Sequence, residues 1–294
     1  MISKIGHFSG LHPVLYTIAV AHTTSPYVSV YPWNRLGFGS KYSNPATLTA
    51  STSYIATFAP AGDTIAVAHS LSPYISVYPW SGSGFGTKFS DPATLPAAGG
   101  LGAAFSPAGD ALAVSYAATP YISVYPWSGS GFGTKFSDPA TLPTGIGQGT
   151  AFSPAGDALA VAHTTSPYVS VYPWSGSGFG TKFSNPATLP AGTGSGVAFS
   201  PAGDAIAVAH STSPYVSAYP WSGSGFGTKF SDPATLPTGT GVYVAFSPAG
   251  DALAVAHSTS PRVSVYGWGS AGFGGKYSNP ATLPTGNAQG VSFI

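Results

Sequence analysis

Residues 196–242 read GVAFSPAGDAIAVAHSTSPYVSAYPWSGSGFGTKFSDPATLPTGTGV, and this one stretch decides the fold. Gly196 to Ser200 is a short apolar run, and Pro201, Ala202, Gly203 and Asp204 supply a tight turn after it. Ala205 to His210 follows as a second strand, with Ile206 and Val208 on one face and alanines on the other. Ser211 to Pro214 turns the chain again, and Tyr215 to Tyr219 alternates aromatic or polar with aliphatic residues at period two. Trp221 to Gly227 is a loop, and Thr228 to Ser231 begins a fourth strand that Pro233 limits. Four short antiparallel strands with apolar residues on both faces predict a sheet packed between two like neighbours.

The stretch recurs. Trp33, Trp80, Trp127, Trp174, Trp221 and Trp268 follow one another at steps of 47 residues, without an insertion or deletion. Lys41, Lys88, Lys135, Lys182, Lys229 and Lys276 keep the same step, as do the turn residues Asp63, Asp110, Asp157, Asp204 and Asp251. A period of this size with frequent turn signals denotes propeller blades or a β-solenoid. The ends favour a ring. Phe293 lies one period after Phe246, a lone first strand, whereas the only Phe before the first repeat, Phe8, is displaced by three residues. The expectation is therefore an all-β, six-bladed propeller of four antiparallel strands per blade, closed by the C-terminal strand completing the N-terminal blade. Residues 11–294 form that single domain, and residues 1–10 form an extension able to anchor it to a partner.

Composition narrows function. The chain has 294 residues, 43% hydrophobic and 14% aromatic, but only 6% charged. All eight acidic residues are Asp, which disfavours long surface helices. A net charge of +1 offers no footprint for nucleic acid or an anionic membrane. With no Cys there is neither a disulfide framework nor a thiolate nucleophile. The first residues make a poor signal peptide and no run is long enough to span a bilayer.

The residues able to carry chemistry read as structural. His22, His69, His163, His210 and His257 recur at one position, but equivalent residues of different blades stand too far apart to share one ion. Tyr116 in the third repeat replaces the imidazole with another hydrogen-bonding ring. A single Asp after Gly is a turn residue, and calcium needs several oxygens close together. Asp91, Asp138 and Asp232 alternate with Asn44, Asn185 and Asn279, so no charge is required there. Arg35 and Arg262 are too few for an arginine cluster, and the absence of Glu removes the usual paired carboxylates of glycoside hydrolysis. No catalytic residue, metal site or cofactor is expected.

Binding candidates remain. Each repeat places Tyr-Pro-Trp before the Phe of Gly-Phe-Gly, so Trp33, Trp80, Trp127, Trp174, Trp221 and Trp268 either pack between blades or form sugar-stacking shelves. Repeats differ most in the connection between blades, where Tyr54, Leu101 and Tyr243 are the large residues. Arg262, which replaces a Tyr, and Arg35 flank the expected closure.

The motif F-S-P-A-G-D, an aliphatic strand and an aromatic strand ending in Tyr-Pro-Trp together resemble WD-repeat propellers, over about Leu11 to Ile294. The Gly-His and Trp-Asp hallmarks are missing, since each Trp is followed by Ser, Asn or Gly. Near-identical, uncharged Gly/Ser/Pro-rich blades are also similar to the WD-like repeat proteins of tailed bacteriophages and environmental bacteria. These resemblances imply a non-enzymatic structural or docking propeller that contacts protein partners, located on a virion surface or in the cytoplasm of the producing cell. The alternative is a multivalent carbohydrate-binding propeller that takes glycans.

Overall fold

The computed structural model describes residues 2–4, 16–34, 37–284, 286 and 288–293. Among these the chain is all-β, with repeated antiparallel sheets and no helix. The first sheet holds β1 (Ile2–Lys4), β2 (Tyr16–Ala21), β3 (Val28–Asn34) and β4 (Gly37–Phe38). The second holds β5 (Ser53–Phe58), β6 (Thr64–His69) and β7 (Ile75–Pro79). The third holds β8 (Gly100–Phe105), β9 (Ala111–Tyr116) and β10 (Ile122–Pro126). The fourth holds β11 (Gly147–Phe152), β12 (Ala158–His163) and β13 (Val169–Pro173). In the fifth are β14 (Gly194–Phe199), β15 (Ala205–His210), β16 (Val216–Ser222) and β17 (Gly225–Phe226). The sixth ends the series with β18 (Gly241–Phe246), β19 (Ala252–His257), β20 (Val263–Gly269) and β21 (Gly272–Lys276). The repeating unit is propeller-like.

The chain divides into two compact units, residues 1–118 with 123–136, and residues 119–122 with 137–293. Each unit has the same internal logic. In the first, Ile65, Val67, Tyr78 and Trp80 of the second sheet pack toward Ala19, Val28 and Val30 of the first. The opposite face of the second sheet, Ala66, Ala68, Ile75 and Val77, receives Phe105, Leu112, Val114 and Tyr125 of the third. In the second unit, Ala160, Ala162, Val169 and Val171 of the fourth sheet meet Val197, Ile206, Val208 and Tyr219 of the fifth. Ala207, Ala209 and Val216 then meet Val244, Leu253 and Val255 of the sixth. Alternation of Ala with Ile, Leu or Val is thus a packing code: large residues of one sheet fill the space that alanines of its neighbour leave. Each fully buried Val, Leu or Ile stabilises by roughly 1.5–3 kcal/mol.

In the third to sixth sheets the turn after the first strand is pinned by a serine. Ser106 Oγ accepts from the amides of Asp110 and Ala111 at 3.1 and 3.0 Å and donates to Asp110 Oδ1 at 2.6 Å. Ser153, Ser200 and Ser247 repeat the arrangement with Asp157, Asp204 and Asp251. The recurrent Asp is a turn-building residue, as its setting after Gly suggests.

Two expectations need correcting. In most sheets the fourth strand shrinks to a Gly-Phe contact opposite Trp, as with Trp80 and Phe85, plus one amide bond such as Phe230 N to Ala218 O at 2.9 Å. The cause lies in Tyr-Pro-Trp: Pro79, Pro126, Pro173 and Pro220 have no N–H to donate to an outer strand. In the sixth sheet Gly267 replaces that proline, and there β21 runs for five residues.

The edge expected to take the C-terminal strand carries β1 instead, with Ile2 opposite Ile18 and Lys4 opposite Tyr16. Described residues 288–293 form no strand. A strand supplied from the same end of the chain spans only residues 5–15 to reach β2, and a short loop costs less entropy to close than a long one. Residues 5–10 of the expected anchor lie outside the described residues.

Candidate functional site

Trp80, Trp127, Trp174, Trp221 and Trp268 each sit in a cage of rings. Trp80 meets Tyr42, Phe58 and Phe85 edge-on, at centroid distances of 5.0, 5.9 and 5.1 Å. Trp127 meets Phe89, Phe105 and Phe132, while Trp221 meets Phe183, Phe199 and Phe226. Trp174 shares its space with Phe152 and Phe179. Edge-to-face pairs add about 0.5–1.5 kcal/mol each beyond burial. Trp80, Trp127, Trp174 and Trp221 are buried, so as sugar-stacking shelves they are inaccessible. Trp33 and Trp268 are partly exposed.

The histidines are wired into their own sheets. His69, His163, His210 and His257 are fully buried. Their Nε2 atoms face the hydroxyls of Ser76, Ser170, Ser217 and Ser264, one strand across, at 3.0–3.1 Å. Where Tyr116 replaces the imidazole, its hydroxyl meets Ser123 at 2.7 Å. His163 Nδ1 lies 2.8 Å from the carbonyl of Thr165, which as acceptor calls for a proton on that nitrogen. Burial pushes His69, His163 and His210 down to about 4, so these imidazoles are neutral at ordinary pH. Among the described residues, no three His or Asp side chains form a metal set.

The lysines close local turns. Lys88 pairs with Asp91 and Lys229 with Asp232, three residues on. Lys41 and Lys276 make the same bond to Asn44 and Asn279. Asp and Asn interchange because the oxygen, not the charge, is what the lysine uses.

One end of the sheets gathers the features that differ between repeats. The connection from one sheet to the next lies against the turn between second and third strands: Thr144 Oγ1 donates to Ser166 O at 2.7 Å, and Ser70 N to Thr52 O at 3.0 Å. At this turn Pro26, Pro73, Pro120, Pro167, Pro214 and Pro261 follow cis peptide bonds. The next residue, Tyr in five repeats and Arg262 in the sixth, has φ of 68–73°. Such left-handed backbone costs a non-Gly residue on the order of 1–2 kcal/mol.

Tyr54 and Leu101 occupy the same structural place, the bulged residue near the start of β5 and β8. Tyr54 is 47% exposed and Leu101 half-buried. Tyr243 is different: it sits one residue beyond the bulge, where Gly102, Gly149 and Gly196 stand in other sheets, and its ring lies over Gly196. It is a packing residue, and burial pushes its phenol up. Arg262 is half-buried, with Nη1 donating to the carbonyl of Ser258. Arg35 lies outside the described residues.

Sequence reasoning missed Leu71. It is 59% exposed in the turn after β6, and its amide is held by Ser51 Oγ at 2.9 Å. The signal was present in the repeat, since the equivalent residues are Thr24, Ala118, Thr165, Thr212 and Thr259. Ser53 pairs with His69, and a Cβ on Gly99 would lie 2.9 Å from Ser70 O. Tyr54, Leu71 and the strand leading to Leu101 therefore share one end of the second and third sheets.

No protein-family model and no curated protein matches the chain. Solved structures do. A Bacteroides uniformis protein described as a "putative 6-phosphogluconolactonase" is 15% identical, with a TM-score of 0.68 over 93% of this chain and 84% of that one. Hydrazine synthase of Kuenenia stuttgartiensis is 16% identical, with a TM-score of 0.60 over 81% of this chain and 70% of the other. At these identities the likeness extends to the fold alone.

Proposed function

We propose that the chain is a non-catalytic docking module, built as a closed ring of six blades, that presents the Tyr54–Leu71 end of its second sheet to a protein partner. A virion surface is the setting we propose for it. The observation that carries the reading is the contrast between its polar and its apolar departures. The recurrent His, Asp and Lys residues are engaged in turns and sheets, whereas Leu71 and Tyr54, large where several other repeats carry Thr, Ser or Gln, stand exposed at one end of the sheet. An apolar centre rimmed by the hydroxyls of Ser51, Thr52 and Ser72 has the anatomy of a protein contact. Glycan stacking is supported less well, because four of the six Trp rings are buried.

The name of the Bacteroides protein supplies the rival reading, hydrolysis of a phosphorylated sugar lactone. Turnover of 6-phosphogluconolactone by the purified chain above the spontaneous rate would overturn the docking proposal. The positive test compares the parent with Tyr54→Ser and Leu71→Thr, the residues other repeats use, in binding to candidate virion proteins. Loss of binding with an unchanged melting temperature supports the proposal; unchanged binding rejects this face.

A further inference from the structure

The recurrent lysine is held in one geometry but in two chemical settings. Lys88 and Lys229 face carboxylates, those of Asp91 and Asp232. Lys41, Lys182 and Lys276 instead donate to the neutral amide oxygens of Asn44, Asn185 and Asn279. A carboxylate favours the charged ammonium, and it loses its partner when the lysine is neutralised. A carboxamide does neither. A lysine acylated on Nζ keeps one N–H, which can go on donating to asparagine and strands no charge.

Within the asparagine group, Lys182 is set apart by burial. Lys41 is exposed, and Lys276 donates to Tyr277 O at 3.4 Å in exposed surroundings. Lys182 is half-buried and donates to Phe183 O at 3.2 Å. The wall beside it is fixed, because the Phe183 ring packs edge-on against Trp221 at 5.2 Å. Among the described residues Lys182 forms no ion pair. The titratable group that feels its charge is His163 at the end of β12, itself neutral at ordinary pH. Burial without a counter-ion pushes the Lys182 pKa below the ordinary lysine value, so more of it stands as free amine than of an exposed lysine.

We propose that Lys182 is an acyl-acceptor site, modified on Nζ by small acyl groups carried as thioesters. Solvent first takes the ammonium proton. The free amine attacks the thioester carbonyl, the N–C bond forms, the C–S bond breaks and the thiolate leaves. The second proton lost from nitrogen passes to solvent. The product removes a charge that burial disfavours and leaves the turn through Asn185 closed by the remaining N–H.

The test uses acetyl-coenzyme A and the purified full chain at mildly alkaline pH. Cleavage before Asp then separates residues 157–203, which carry Lys182, from residues 63–90 with Lys88 and 204–231 with Lys229. Mass spectrometry is expected to find Lys182 acetylated several-fold more than either. Asn185→Asp should bring Lys182 down to the level of Lys229, and Asp232→Asn should raise Lys229. Both changes are exchanges that the repeats already make, and equal melting temperatures check that the fold is kept. Equal acetylation of the three lysines, or an Asn185→Asp chain modified as readily as the parent, overturns the proposal. A pH series gives a second reading: acetylation of Lys182 should set in at lower pH than that of Lys229, and coincident profiles would reject the site. Tyr54 and Leu71 are untouched by these variants, so the docking role stands or falls separately.

Discussion

The exchange of His for Tyr at residue 116 shows what the repeated imidazole does. Both rings span one strand to reach a serine hydroxyl, His163 to Ser170 at 3.0 Å and Tyr116 to Ser123 at 2.7 Å. Hydrogen bonding, not charge, is the shared property. His163→Tyr is therefore expected to leave the fold intact, checked by circular dichroism and melting. Acid should reveal the histidines. Their unfolded forms take up a proton near 6.5, while His69, His163 and His210 resist it down to about 4 when folded. Between those values the unfolded chain binds more protons, so stability falls as pH is lowered, by up to about 1.4 kcal/mol per pH unit for each histidine. Melting temperatures measured at pH 7, 5.5 and 4.5 should drop in that order, and His163→Tyr should flatten the slope; a flat parent profile would contradict it.

At the scale of the element, the Tyr-Pro-Trp strand sets both a limit and a scaffold. Its proline shortens the outer strand, and the proline ring presses on the glycine after the Gly-Phe-Gly phenylalanine. A Cβ on Gly180 would lie 2.8 Å from Pro173 Cβ. Gly180→Ala should destabilise by roughly 1–3 kcal/mol through overpacking, read by denaturant titration. The tryptophan that follows is a core residue. Trp174→Ala should cost about 3–5 kcal/mol, far more than loss of a surface shelf would. A variant as stable as the parent would place that ring outside the core.

For the molecule as a whole, the proposed closed ring is the claim to test. If the ring is closed, residues 291–293 contribute to the stability of the whole molecule. Deleting them should lower the melting temperature by about 5–10 °C, given roughly 2–4 °C per kcal/mol for large domains. Calorimetry on the full chain and the truncated chain makes the comparison, and equal melting temperatures would mean that another strand does the sealing.

What the sequence determined by itself is local and periodic: the 47-residue step, the three inner strands of the second to sixth sheets, the serine–aspartate turns and the structural reading of the histidines. These follow from side-chain alternation and turn chemistry, which act over a few residues and recur from repeat to repeat. Tertiary structure decided what depends on neighbours. It buried Trp80 and three of its counterparts under rings contributed by other strands, set Tyr243 over a glycine where the sequence suggested a surface residue, and exposed Leu71. It also gave the edge of β2 to residues 2–4, because pairing weighs loop length and competing strands, and a periodic pattern carries no information about either.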